Sequence, residues 1–239
     1  MAKKTAKRSQ IVSSTVWGVI LASGQPSDFA ADIEPAFLTV GSKPVLAYSL
    51  SAFERCPDVD GLVLVSSKER LESLRAMVHL FGCNKVKAIV SAPPARTAAV
   101  QVGVDVAIEN AAGHIVVHDG TRPGVSTELI SETIRVARKS GASAVANPIM
   151  DPVSETAKGA KITKLVSGDL WTTATPQAFK TDVLHKALVN AVKKKLKLPD
   201  EAAAATAIKQ VVHLVPARRP LIRIASPAHL SLAEFLLRS

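Results

Sequence analysis

The chain has 239 residues, enough for one α/β domain to bury a full core without disulfides or metal, and for two domains at most. Hydrophobic residues make up 47% and charged residues 21%, which excludes a disordered chain, and aromatics at 4% leave little from which to build a base-stacking platform for single-stranded nucleic acid. The formal net charge of +10 is local: Lys3, Lys4, Lys7, Arg8 and Lys193, Lys194, Lys195, Lys197 carry eight of the 30 basic residues, and without them 22 face 20 acidic ones. Such runs read as a solvated tail and a solvated helix end, with an electrostatic contact to nucleic acid or membrane as the lesser alternative.

In chain order, residues 1–15 read as a basic flexible tail. They imitate a signal peptide, but Ser13, Ser14 and Thr15 interrupt the apolar stretch, and no apolar run approaches the ~18 residues a membrane span requires. Val16–Ala22, Leu62–Val65, Val86–Val90, Ile115–Val117 and Ala144–Ala146 are short, Val/Ile-rich runs that predict buried strands. Between them helices are expected: one opened by Pro44, one at Ser66-Ser67-Lys68-Glu69 by capping-box spacing, Arg96–Glu109, and Ser126–Ser140 with one apolar face. Strand–helix alternation of this kind implies α/β architecture, a mostly parallel sheet covered by helices.

After Pro148 the pattern changes. Val153–Lys158 and Lys161–Val166 alternate polar and apolar residues around Lys158-Gly159-Ala160 and predict a β-hairpin arm, about 149–171. Helices follow at Thr181–Lys195 and Asp200–Lys209, strands at Val211–Val215 and Leu221–Ile224, and a last helix capped by Ser226-Pro227. The two cysteines, Cys56 and Cys83, lack metal-ligand spacing and point to a reducing, cytoplasmic setting. Asp58-Val59-Asp60 imitates a metal-binding D-x-D but precedes its strand, where a solvated turn is expected. Ligands of open α/β sheets bind beyond the carboxyl ends of strands, which selects the loops 23–35, 119–125 and 148–152.

Several segments in these loops carry a resemblance: Leu21-Ala22-Ser23-Gly24, Gly41-Ser42-Lys43-Pro44, His118-Asp119-Gly120-Thr121-Arg122-Pro123, Leu170-Trp171, Thr175-Pro176-Gln177-Ala178-Phe179, Asp200-Glu201-Ala202 and Ser226-Pro227. In order and spacing the chain from Val16 onward resembles the 2-C-methyl-D-erythritol 4-phosphate cytidylyltransferases of isoprenoid biosynthesis and their ribitol-phosphate relatives. The resemblance implies a Rossmann-like nucleotidyltransferase fold over 16–239, CTP and Mg²⁺ as cosubstrate and cofactor, and a homodimer interlocked through the arm. It assigns nucleotide binding to Ala22, Gly24, Arg96 and Thr175. Substrate binding falls to Asp119, Arg122, Arg223 and Asp151, with Asp119 also a metal ligand.

The phosphate cradle departs from the pattern. Where the family has an arginine and a lysine, this chain has Asp28 and Pro35, and Pro26 removes a backbone donor. Of the family's Gly-Gly-x-x-Arg segment only Arg96 remains, Asp151-Pro152 replaces an Asp-Thr pair, Ser167 an arm arginine, and Pro199 a threonine. Arg223 replaces a lysine and keeps its charge. Nucleotidyl transfer depends almost wholly on positioning and electrostatics, and each preorganised donor contributes ~3–4 kcal/mol, so two lost cations cost on the order of 10⁴-fold. The expectation is a catalytically impaired or repurposed homologue that binds a small phosphate ligand; the alternative is a working nucleotidyltransferase on the family substrate or another phosphorylated alcohol. His118 is expected to bond the loop, and Asp119 with Arg122 forms either a ligand site or a structural ion pair.

Overall fold

The computed structural model describes residues 14–22, 28–30, 33–157 and 161–238. Residues 1–13 of the expected tail, Gly24 with its neighbours 23–27, and the arm's turn 158–160 lie outside these. In chain order the elements are β1 (Val16–Leu21), β2 (Thr39–Val40), β3 (Lys43–Pro44), α1 (Val45–Arg55), β4 (Gly61–Ser66), α2 (Leu71–Leu80), β5 (Val86–Ser91), α3 (Arg96–Glu109), β6 (His114–Asp119), α4 (Thr127–Ser140) and β7 (Ala142–Pro148). They continue as β8 (Val153–Ala157), β9 (Lys161–Val166), β10 (Trp171–Lys180), α5 (Thr181–Lys193), α6 (Glu201–Ala207), β11 (His213–Pro216) and α7 (Pro227–Arg238).

Seven strands form one sheet in the order β11-β7-β10-β6-β1-β4-β5. All its pairings are parallel except those of β10, which runs antiparallel between β6 and β7. β1 shows why both faces need helices. Val16 and Ile20 enter the core on one side with Leu50, Phe53 and Ile134, while Trp17, Val19 and Leu21 enter the other with Val100, Val104 and Leu188. A buried strand with both faces apolar is the signature of a doubly covered sheet. On the second face α3 lies close: a Cβ at Gly103 would stand 2.4 Å from Val19 Cγ1. A third, smaller cluster of Val40, Val45, Ile224 and Ala233 seats α7 beside the β2–β3 hairpin.

Four expectations need correction. Pro44 ends β3 and precedes α1 instead of opening its first turn. Ser66 completes β4, and a 3₁₀ turn at Lys68–Arg70 comes before α2, with no side-chain cap at Ser67. Leu221–Ile224 is not a strand; its ends bond to the 119–122 turn, at the Thr121 carbonyl and the Arg122 side chain, and not to a neighbouring strand's ladder. Trp171–Lys180, expected only as a motif, is a central strand of ten residues, whose register shifts between Ala174 and Gln177 around Pro176. Proline normally argues against a central strand, and the irregularity is how this one is accommodated. The hairpin forms as expected, as a separate two-stranded sheet, β8 with β9.

Candidate functional site

Leu21 and Asp119, the last residues of β1 and β6, lie side by side in register. The chain must turn there without a side chain: a Cβ on Gly120 would stand 2.9 Å from the Leu21 carbonyl, to which Gly120 N–H donates at 2.8 Å. This places the Asp119 carboxylate at the carboxyl edge of the sheet, next to the start of α3 and the start of α6.

Four charged side chains meet at that point. Arg96, first residue of α3, reaches Asp119 Oδ1 at 2.6 Å with one guanidinium nitrogen and grips Glu201, first residue of α6, with two others at 3.1 and 2.8 Å. Arg122 Nε donates to Asp119 Oδ2 at 3.4 Å and its Nη1 to the Leu221 carbonyl at 2.6 Å. The side chains of Asp119 and Glu201 are 5% and 3% exposed, so neither carboxylate is solvated and both depend on arginine. Burial alone would raise the Asp119 pKa, but the two guanidiniums hold it below its ordinary value; for Glu201 burial prevails and pushes its pKa up. Burial likewise disfavours the Arg96 cation, and the two carboxylates more than restore it. The Arg122 pKa is lowered, by burial first and also by repulsion from Arg223 and Arg96.

Behind the carboxylate runs a directional hydrogen-bond chain. Asp119 N–H donates to Thr175 Oγ1 at 2.9 Å, Thr175 meets His118 Nδ1 at 3.2 Å, His118 Nε2 meets Ser49 Oγ at 3.2 Å, and Ser49 donates to the Arg122 carbonyl at 3.2 Å. One proton placement satisfies every bond: Thr175 donates to bare Nδ1, and Nε2–H donates to Ser49. That neutral tautomer agrees with full burial, which lowers the His118 pKa to about 3. His118 therefore bonds the loop, as expected, and ties both ends of the 119–122 turn together.

The other side of the site is set by Gln177. Its Oε1 accepts from Ala202 N–H at 2.8 Å and its Nε2 donates to Asp200 Oδ2 at 2.9 Å. Asp200 in turn caps α6, accepting from Ala203 N–H at 2.8 Å, which fixes where Glu201 stands. Glu201, Ser49 and Gln177 received no role from sequence; the motifs around Thr175 and Asp200 were the available signal.

The predicted site residues divide into groups. Arg96, Asp119, Arg122 and Thr175 form one connected network. Arg223 is half-buried and close enough to repel Arg122, and among the described residues it has no ion-pair or hydrogen-bond partner for its side chain. Ala22 is buried at the end of β1, bonded to Val65. Asp28 N–H is tied to the Ala225 carbonyl at 2.7 Å, and Pro35 is buried in a 3₁₀ turn, Pro35–Phe37. Asp151 is exposed at the root of the arm, and no hydrogen bond or ion pair joins it to the network. For a metal the donor set does not fit: each Asp119 oxygen faces a guanidinium, and among the described residues no three His, Cys, Asp or Glu side chains are placed to share an ion. Asp58 pairs with Arg138 and Asp60 accepts from Val16 N–H, so the D-x-D imitation serves the turn.

A mostly parallel α/β sheet with a charged turn at the ends of β1 and β6, one antiparallel strand within it and a hairpin arm beside that strand defines a nucleotidyltransferase fold. The chain belongs to the 2-C-methyl-D-erythritol 4-phosphate cytidylyltransferase family, whose model it matches over residues 16–239. The enzyme of that name from Desulforamulus reducens is 33% identical over 224 residues, 92% of this chain and 94% of that one. The bifunctional enzyme IspD/IspF of Desulforudis audaxviator is 34% identical over 221 residues, and the chain spans 56% of that protein's length. Among solved structures, the cytidylyltransferase of Thermus thermophilus superposes with a TM-score of 0.74 at 26% identity, covering 94% of this chain and all of the other. The 4-diphosphocytidyl-2C-methyl-D-erythritol synthase of Anaerococcus prevotii shares the fold, with a TM-score of 0.82 at 20% identity, 95% of this chain and 97% of that one.

Proposed function

We propose that this family member is catalytically impaired: it has lost most of the residues that hold a triphosphate and several that hold a phosphorylated alcohol, and keeps Arg122 and Arg223, so that it binds a small phosphate ligand and turns CTP over poorly. One observation carries this reading: the cations available for a ligand. Arg96 is spent on Glu201 and Asp119, and Asp28 and Pro35 supply none where the family pattern has an arginine and a lysine. Arg122, half engaged, and Arg223 remain, and together they suit one phosphate group better than three. Any Mg²⁺ would arrive on the nucleotide, since Asp119 is committed to arginine.

The second reading, a working cytidylyltransferase, is favoured by the 33% identity to the Desulforamulus enzyme over nearly the whole chain. A CTP turnover assay with Mg²⁺ and a phosphorylated alcohol separates the two. We expect turnover at least ~10³-fold below a typical enzyme rate of ~10 s⁻¹, and calorimetric CTP binding weaker than micromolar. Asp28→Arg with Pro35→Lys should strengthen CTP binding; an ordinary turnover number would establish the second reading. The arm supports a homodimer in which each site receives residues from the partner's hairpin, and the two free cysteines, Cys56 and Cys83, support a reducing, cytoplasmic setting.

A further inference from the structure

Beyond the Asp119 centre, the loop between β11 and α7 borders a cavity of about 430 Å³, lined by Asn147 of β7, Arg218, Arg219, Pro220, Leu221 and Ile222. The loop is held at several points. Ala217 N–H donates to the Ala146 carbonyl at 3.1 Å, the Leu221 carbonyl accepts from Arg122 at 2.6 Å, and Ile224 N–H donates to the Thr121 carbonyl at 2.8 Å. The cavity wall is thus pinned to β7 on one side and to the 119–122 turn on the other.

Its wall carries two cations without an ion-pair partner among the described residues. Arg218 and Arg219 are exposed neighbours, and among the described residues neither side chain makes an ion pair or a hydrogen bond. Arg218 feels the carboxylate of Glu132, but that group is already held by both a guanidinium Nε and an Nη of Arg135. Two adjacent guanidiniums repel until an anion bridges them, and the planar fork of each matches phosphate oxygens. Asn147 adds a neutral amide. Pro220, Leu221 and Ile222 form an apolar wall against which a carbon body can lie.

We propose that this cavity is a second anion site, taking a small organic phosphate with its phosphate on Arg218 and Arg219. Leu221 lines the cavity and its carbonyl is the partner of Arg122, so occupancy here bears on Arg122. The assignment does not rest on whether CTP is turned over.

The test uses the full-length chain, titrated calorimetrically with glycerol phosphate and with inorganic phosphate at constant ionic strength. Arg218→Gln with Arg219→Gln should remove one binding event, each arginine contributing about tenfold or more. It should change the ligand-free melting temperature little, because among the described residues neither side chain makes an ion pair or a hydrogen bond. Arg223→Gln, which acts on the Asp119 centre, should leave that event intact. Should only the 218/219-dependent event appear, the second site stands and the reading of the Asp119 centre falls. Isotherms unchanged by the double substitution, or binding that chloride at equal ionic strength abolishes, would overturn the proposal.

Discussion

At the scale of single residues, Arg96 is the side chain the site depends on most. Removing it leaves two buried carboxylates, one of which, Glu201, has no other ion-pair partner among the described residues, and the cost of breaking a buried pair is about 3–5 kcal/mol. Arg96→Leu is therefore expected to lose that much in urea-induced unfolding, whereas Lys186→Ala, at an exposed pair with Asp182, should lose less than about 0.5 kcal/mol. The buried histidines add a pH dependence. Burial lowers the His118 pKa from 6.5 to about 3 and lowers that of His114 as well. Between those values the unfolded chain binds more protons than the folded one, so stability is lost as pH falls below 6.5. Each such histidine contributes a slope of up to about 1.4 kcal/mol per pH unit. Unfolding midpoints measured from pH ~6.5 to ~5 should show this slope, and His118→Gln should flatten it; an unaltered profile would mean that His118 is not held neutral.

Elements differ in how they advertise themselves. α4 was legible because its cap, face and stop all agree: Ser126 Oγ accepts from Leu129 N–H at 3.2 Å, Ile130, Thr133, Ile134 and Ala137 are buried, and Gly141 ends the helix with φ +89. Ser126→Ala should cost about 1 kcal/mol in thermal or chemical unfolding. α3 buries Ala99, Val100, Gly103, Val104 and Ala107, but apolar residues lie around much of its circumference, so the stripe does not stand out in sequence, and Gly103 sets how closely it approaches Val19. Gly103→Ala should cost about 1–3 kcal/mol by overpacking, despite alanine's better helix propensity. Pro176 hides β10 in the sequence, and Leu221–Ile224 reads as a strand because an apolar run does not reveal whether its backbone will meet a ladder or, as here, the 119–122 turn.

For the molecule as a whole, the arm is the feature that a single chain leaves unfinished. Ile162 and Leu165 are 71% and 63% exposed on a two-stranded sheet with no helix over it, and Met150 at its root is 87% exposed. Two strands alone are marginal in water, and an exposed apolar ribbon calls for a partner surface. A second copy would provide one of matching chemistry by two-fold exchange. Light scattering is expected to report a dimer at micromolar concentration, and Ile162→Asp should shift it toward monomer by placing an unpaired charge in the contact. A monomeric native chain, or a dimer indifferent to that substitution, would exclude the arm as the interface.

Sequence alone determined the family, most of the parallel strands, the arm and the missing cations at Asp28 and Pro35, because each is a matter of local pattern or residue identity. Only the tertiary structure decided what the surviving residues do. Arg96, Asp119 and Glu201 span up to 105 positions of sequence and belong to three elements, so nothing local shows that Arg96 is consumed by two carboxylates. The same holds for His118, whose neutral relay joins a helix, a strand and a turn through Ser49 and Thr175. Charge can be read from composition, but whether a charge is free depends on burial and on partners that the fold brings within about 3 Å of one another.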